Sequence, residues 1–303
     1  KKNNHNLLEK LTIIIPSYER QNFLIRKIKY WSNKNVKLIV IDGSKKCLDL
    51  NIIEKFPENL KYFHQPISFY DRMHKVSDLI ETEFVIQACD DEFYVPSALN
   101  SSINELIKNK DLLTCGGICM GFNYEGNKVI GFDQYKGLKN VKLISSNPNE
   151  RIEKHFKNYL PSHMYSVTRS KIWKIASKST FSKEYSFYAA LELQLEFLLT
   201  YGGKSYILPE LMWLRSKENK PIRGDTPSFT HKNTLKNWLN NKKFFLEKND
   251  FVLRMELACK QIDEVNNLYN QPNVIDGLKY YIDSFEKSKK NFFSPIISLV
   301  KKF

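Results

Sequence analysis

Four short apolar runs, each followed by a segment with helical spacing, constrain the fold of this chain more than any other feature. Leu11-Thr12-Ile13-Ile14-Ile15-Pro16 is β-branched and ends at a proline, the signature of a buried strand. Residues 20–31 then place Phe23, Leu24, Ile28 and Trp31 on one helical face, with Arg26, Lys27 and Lys29 opposite. Val36–Ile41 reads as a second strand, stopped by Asp42-Gly43-Ser44, and a helix over about 47–55, a strand over 60–64 and a helix over about 69–80 follow. Glu83–Cys89 is a further strand that runs directly into Asp90-Asp91-Glu92, before a helix over about 96–109. Strands alternating with helices of this length predict an α/β fold with a mostly parallel sheet covered on both faces. In such sheets ligands gather at the carboxyl ends of the strands. Three polar clusters fall there: Ser17-Tyr18-Glu19, Asp42-Gly43-Ser44 and Asp90-Asp91-Glu92.

The second half changes character. Leu112–Met120 predicts a strand, Tyr124–Lys128 a hairpin turn, 149–159 a short helix, Met164–Thr168 a strand, 185–201 a long helix and Tyr206–Leu214 extended structure. The polar, punctuated stretch 216–232 predicts a loop, and the remainder is expected to be mostly helical. This suggests a principal domain over 1–225 and a helical C-terminal extension over 226–303.

Composition narrows the function classes. With 303 residues, 42% of them hydrophobic, the chain has material for a sizeable core, and no apolar run approaches the ~20 residues that span a bilayer. Five scattered cysteines form no paired knuckle of a zinc site, and a disulfide framework is not expected in so long a chain, so a reducing, cytoplasmic setting is the expectation. The balance of 47 Lys and Arg against 33 Asp and Glu gives a formal charge of +14, which favours polyanions or phosphorylated small molecules, or reflects only a lysine-rich solvated surface. Nucleic acid is not the expected partner, because no zinc-finger spacing, heptad zipper or RNP-like aromatic run accompanies the charge.

Asp90-Asp91-Glu92 is the strongest chemical signal. Three adjacent carboxylates repel one another, and a divalent cation relieves that repulsion; hard oxygen ligands suit Mg2+ or Mn2+, which also bridge phosphate oxygens. The competing reading is a solvated acidic loop that caps the helix beginning near Pro96.

The order and spacing of these motifs resemble family 2 glycosyltransferases of the GT-A (Rossmann-like) fold, over roughly residues 11–120, and small outlier members more than the large synthases. Thr12–Arg20 resembles their opening "t-v-i-i-P-t-y-n-R", Val40–Ser44 their "v-v-D-D-G-S" shortened by one Asp, and Asp90-Asp91-Glu92 their D-x-D element. The resemblance implies a nucleotide pocket lined by Pro16, Ser17, Tyr18 and Glu19, with Tyr18 near the base and Asp42 on the base edge, commonly uracil. It implies Arg72 near the nucleotide, Asp90 approaching the ribose and Asp91 holding Mn2+ or Mg2+ on the diphosphate. Aligned on Pro96, the three D-x-D positions fall on Cys89, Asp90 and Asp91, so that Cys replaces the first acid.

Inverting relatives carry a base, often in an E-D pair, at the start of a later helix. The dipeptide is missing here, but Glu192 and Glu196 are four apart in the equivalent region and share one helix face. Flanked by Leu191, Leu193 and Leu195, Glu192 is expected to be partly desolvated and to serve as the base; the alternative is two carboxylates on a solvated stripe. His163 precedes a strand where an acceptor or phosphate could be met, although a lone His is commonly structural. Arg215 and Arg223 flank the polar loop and could clamp the leaving diphosphate. Gly203-Lys204-Ser205 resembles the end of a phosphate-binding loop but lacks its first glycine and follows a helix, and His64 and His74 have no partner at metal spacing. Lys287–Lys290 and Lys301-Lys302 flank an apolar block, Phe292–Val300, that suits an anionic membrane surface or a last packed helix.

The expected activity is thus a metal-dependent, inverting transfer of sugar from a nucleotide-diphosphate donor, UDP-linked by preference, to a glycan or lipid-linked acceptor in surface polysaccharide synthesis. The expected setting is the cytoplasm or the inner face of the membrane. Two rivals remain: a nucleotidyltransferase, which Pro16–Arg20 opposes by lacking glycine, and a non-catalytic polyanion-binding module of GT-A descent.

Overall fold

A computed structural model describes residues 6–187, 189–218 and 231–284, the side chains of 140 and 231–234 excepted. Arg223 and the basic and apolar segment over 287–302 lie outside the described residues.

The predicted alternation is present. β1 (Leu11–Ser17), β2 (Lys37–Asp42), β3 (Leu60–His64) and β4 (Phe84–Gln87) form a parallel block in the order β3-β2-β1-β4. They are linked through α1 (Gln21–Trp31), α2 (Leu50–Ile53) and α3 (Phe69–Val76). After β5 (Phe93–Tyr94) and α4 (Pro96–Lys108) come β6 (Leu112–Glu125), β7 (Lys128–Asp133) and β8 (Lys142–Leu143). The chain continues through α5 (Pro148–Lys157), β9 (Val167–Arg169), α6 (Ser170–Thr180), α7 (Ala190–Gly202) and β10 (Lys204–Ser216). It ends in α8 (His231–Asn240), α9 (Phe245–Asn266) and helical turns over 274–284.

The sheet is mixed rather than wholly parallel. β9 lies between β4 and β6, antiparallel to both, which leaves β6 and β10 running in the same direction as β1–β4. β7 returns along β6 after the two-residue turn Gly126-Asn127, a connection too short for any parallel crossover. All six long strands of the shared direction therefore deliver their carboxyl ends to one edge.

Side-chain alternation along the strands builds two cores. Ile13, Ile15, Leu38, Val40, Phe84 and Ile86 face α1 and α4, whereas Ile14, Ile39, Ile41 and Val85 face α3, α6 and α7. Phe251, Met255, Ile262, Leu278 and Tyr281 join this second core, so the C-terminal helices share their apolar interior with one face of the sheet. No helix among the described residues is long and apolar enough to cross a membrane.

Several boundaries differ from the sequence expectation for local reasons. The helix expected over 47–55 is reduced to four residues, capped by the Asp49 side chain on Asn51 N–H. The helix expected from 185 begins only at Ala190, and it is buried almost throughout from Leu193 to Gly202, with no solvated stripe. Lys27, placed on the polar face of α1, is fully enclosed, and its ammonium donates to the carbonyl of Glu92.

Candidate active site

The acidic cluster is not a solvated loop. Asp90, Asp91 and Glu92 are 3%, 8% and 4% exposed, and β5, immediately after them, pairs with β10. Nor do they cap α4, whose N-cap residue is Val95, with no side-chain hydrogen bond. Each acid has its own surroundings. Asp90 accepts from the Ser17 hydroxyl at 2.8 Å and lies 3.4 Å from the Arg20 guanidinium, which also reaches Asp91 at 3.3 Å. Glu92 accepts from the Trp213 indole N–H at 2.8 Å, and its second oxygen faces Arg215 Nε at 3.6 Å.

Burial governs the electrostatics. It pushes the Asp90 carboxyl up to about 6, the Asp91 charge adding to the rise while Ser17 and Arg20 oppose it. Burial likewise lifts Glu92 to about 7 against the pull of Arg215 and Trp213, and lowers the Lys27 ammonium to about 8 despite the nearby carboxylates. Carboxyls held this high are short of compensation for the water that burial removes.

That shortage, together with the donor set, fits a divalent cation. The Cys89 thiol and one carboxylate oxygen each from Asp91 and Glu92 lie within 4.8 Å of one another. Asp91 supplies a hard ligand on the most accessible of the three acids, and Glu92 is oriented by the indole behind it.

The ends of β1 and β2 are locked together beside this cluster. Arg72 donates from one guanidinium nitrogen to Ser17 O at 2.9 Å and Ile41 O at 3.1 Å. It lies so close against Gly43 that a Cβ there would overlap its guanidinium. Asp42 is fully enclosed, one oxygen accepting Ser44 N–H and the other the Tyr62 hydroxyl, both at 2.8 Å. Both residues therefore brace the strand ends from beneath; the expectation that Asp42 meets a base edge is corrected by its enclosure. Glu19 turns the chain with φ of 54°, its N–H donating to Ser44 Oγ and its carboxylate accepting Lys45 N–H. Pro16 pairs with Ile41, one residue before β1 ends at Ser17 opposite Asp42. Tyr18 is the exposed aromatic of the group, at 37%.

Across the site, the end of β10 contributes an aromatic wall. Trp213 stacks on Tyr165 with ring centroids 4.0 Å apart, and on Tyr135 at 5.7 Å. Arg215 lies over Tyr135 and Trp213 and donates to the Tyr135 hydroxyl. Its positive charge opposes the rise that burial imposes on the carboxyls of both Glu92 and Glu192.

Glu192 lies in the first turn of α7 and accepts a hydrogen bond from the Tyr159 hydroxyl. Burial raises its carboxyl above the ordinary range and the Glu196 charge adds to this, while Tyr159 and Arg215 act in the opposite direction. Glu196, one turn on, is wholly buried and accepts from His155 Nε2 and His163 Nδ1, both at 2.9 Å. It also accepts the backbone N–H groups of Ser162, His163 and Met164 at 3.0–3.3 Å. Although burial opposes ionisation, the two histidines hold this carboxyl well below its usual range. His163, 1% exposed, uses its second ring nitrogen on Ser205 Oγ at 3.0 Å. It has no nitrogen left for an acceptor or phosphate, and the expected site role is replaced by a structural one.

Sequence reasoning missed Tyr159, Tyr165, Trp213, Tyr135 and Lys27 as neighbours of the site, because nothing in their local pattern marks them. Arg20 was legible only as part of the opening motif.

No family model matches this chain, and no curated protein matches it. Among solved structures it is similar to S. aureus TarS 1-349 in complex with UDP-GlcNAc, at 12% identity over 93% of this chain and 91% of that chain, with a TM-score of 0.51. TarS 1-349 in complex with UDP matches at 13% identity over 93% and 90%, with a TM-score of 0.47. The first of these likenesses bears on the fold, and the expected class holds: a GT-A-type mixed α/β sheet flanked by helices, with a helical C-terminal part.

Proposed function

We propose that this chain is a nucleotide-sugar-dependent, inverting glycosyltransferase, with UDP-linked sugars as the favoured donors and a glycan or lipid-linked acceptor of surface polysaccharide synthesis. The observation that carries the reading is the buried Asp90-Asp91-Glu92 group at the carboxyl edge of the sheet, tied to Ser17 and Arg20 and facing Arg215 at 3.6 Å. The likeness in fold to a protein crystallised with UDP-GlcNAc supports the donor class.

In this reading Tyr18 packs against the base, Ser17 and Asp90 face the ribose, and Asp91 with Glu92 would hold Mn2+ or Mg2+. When bound, the cation would neutralise charge on the leaving diphosphate. Arg215, a planar cation already fixed by Glu92 and Tyr135, is suited to the same phosphate oxygens. Glu192 takes the proton of the acceptor hydroxyl as that oxygen forms its bond to the anomeric carbon, opposite the departing diphosphate. The proposed setting is the cytoplasm, at the inner membrane face if the C-terminal segment engages anionic lipid.

A thermal-unfolding panel of nucleotides and nucleotide sugars, with and without manganese, tests this. A donor at about a hundred times its Kd stabilises the folded chain by about 2.7 kcal/mol. Asp91→Ala is expected to lose the manganese-dependent part of that shift. If no nucleotide or nucleotide sugar moves the midpoint under either condition, the proposal fails.

A further inference from the structure

We infer that Cys89 is itself a ligand of the cation site, and that this sulfur turns the centre away from magnesium towards thiophilic divalent cations such as cadmium, cobalt and zinc. The inference rests on reading Asp90-Asp91-Glu92 as a cation site, and adds to it the identity of the third ligand and the selectivity that follows.

The placement is set by the backbone. Ala88 N–H still bonds to Ile14 O at 2.8 Å, so Cys89 is the first residue to leave the sheet at the end of β4. From there the chain divides its side chains. Asp90 turns to Ser17 and shares Arg20 with Asp91, whereas Cys89, Asp91 and Glu92 bring one sulfur and two carboxylate oxygens within 4.8 Å of one another. Cys89 is only partly buried, and all five cysteines are free thiols. Cys47, Cys115, Cys119 and Cys259 belong to no such ligand group among the described residues. The Glu92 carboxylate is already aimed by the Trp213 indole N–H at 2.8 Å, the kind of outer support that orients metal ligands.

The consequence follows from ligand softness. A site of carboxylates and water suits magnesium, which dehydrates reluctantly and takes oxygen; a thiolate contributes little to it. Cadmium, zinc and cobalt gain a strong bond from the same sulfur. The thiol loses its proton to solvent as the metal–sulfur bond forms, so no oxidant or reductant takes part.

The test uses the full chain, reduced and stripped with a chelator, titrated with cadmium and with cobalt in the presence and absence of UDP. A thiolate-to-metal charge-transfer absorption that saturates at one equivalent is expected, lost in Cys89→Ser and in Asp91→Asn. In Cys89→Ser the ratio of cadmium to magnesium affinity is expected to fall about tenfold or more, the scale on which even outer-ligand changes move metal affinity. In the unsubstituted chain, cadmium is expected to protect Cys89 from alkylation, read by peptide mass, which needs no variant to fold. A band that persists unchanged in Cys89→Ser, or manganese binding without any thiolate band under cadmium, overturns the role of Cys89 and leaves the cation site standing. Failure of every cation to bind, with or without UDP, removes the cation site and this inference together.

Discussion

Glu192→Gln is expected to leave donor binding unchanged while transfer falls by about 10²–10⁴-fold, the usual contribution of a positioned general base. The amide keeps the shape of the carboxylate and an oxygen to accept the Tyr159 hydroxyl, so the fold has little reason to change. What it removes is the capacity to take a proton. Burial supplies that capacity here by holding the Glu192 carboxyl above its ordinary range. Release of nucleoside diphosphate in the presence of acceptor measures the loss, and unfolding midpoints with and without donor verify that binding survives. Equal turnover in the variant would defeat the assignment. Tyr159→Phe provides an internal control. The hydroxyl stabilises the ionised carboxylate, so its removal raises the Glu192 pKa further and moves the acid limb of the rate profile to higher pH.

Glu196→Ala is expected to destabilise the chain by about 3–5 kcal/mol, the cost of stranding the partners of a buried charge. Two histidine N–H groups and three backbone amides of the segment before β9 converge on this one carboxylate, and a methyl group satisfies none of them. Urea unfolding of variant and parent at neutral pH measures the difference; a loss below about 1 kcal/mol, the worth of one ordinary hydrogen bond, would contradict the account. The pH dependence has a definite sign. The histidines depress the Glu196 carboxyl, so its stabilising contribution is complete above the unfolded carboxyl value of about 4.3. It is lost as the pH falls through the folded value, and the gap between parent and variant closes on that side only.

These two glutamates show where local pattern stops being informative. Their spacing of four places them on one face of α7, which is sound helix geometry, but it does not say what that face meets. Glu196 meets α5 and the turn before β9 and becomes a structural hub. Glu192, one turn earlier, meets Tyr159 and the field of Arg215. Likewise, the basic stripe of α1 reads as solvated, yet the closure of β5 on β10 encloses Lys27 against the carbonyl of Glu92. The opening motif carries a similar ambiguity. Ser17 and Asp90 are joined across adjoining strand ends by a 2.8 Å hydrogen bond, as ligands gathered at one edge require, whereas Asp42 and Arg72, from the same neighbourhood, are turned inward to hold that edge.

Short-range signals suffice for the succession of strands and helices, the parallel block of β1–β4, and the presence of three carboxylates beyond the last of those strands. Each follows from short-range causes: side-chain period, β-branching, and the proline and glycine that end the runs. Packing between distant segments is what sets β9 reversed in the sheet, brings Trp213 and Arg215 from more than a hundred residues away to face Glu92, and parts the two acids of α7. Contacts between distant segments depend on which surfaces are buried together, and the desolvation that raises Glu92 and Glu192 exists only after that burial is complete.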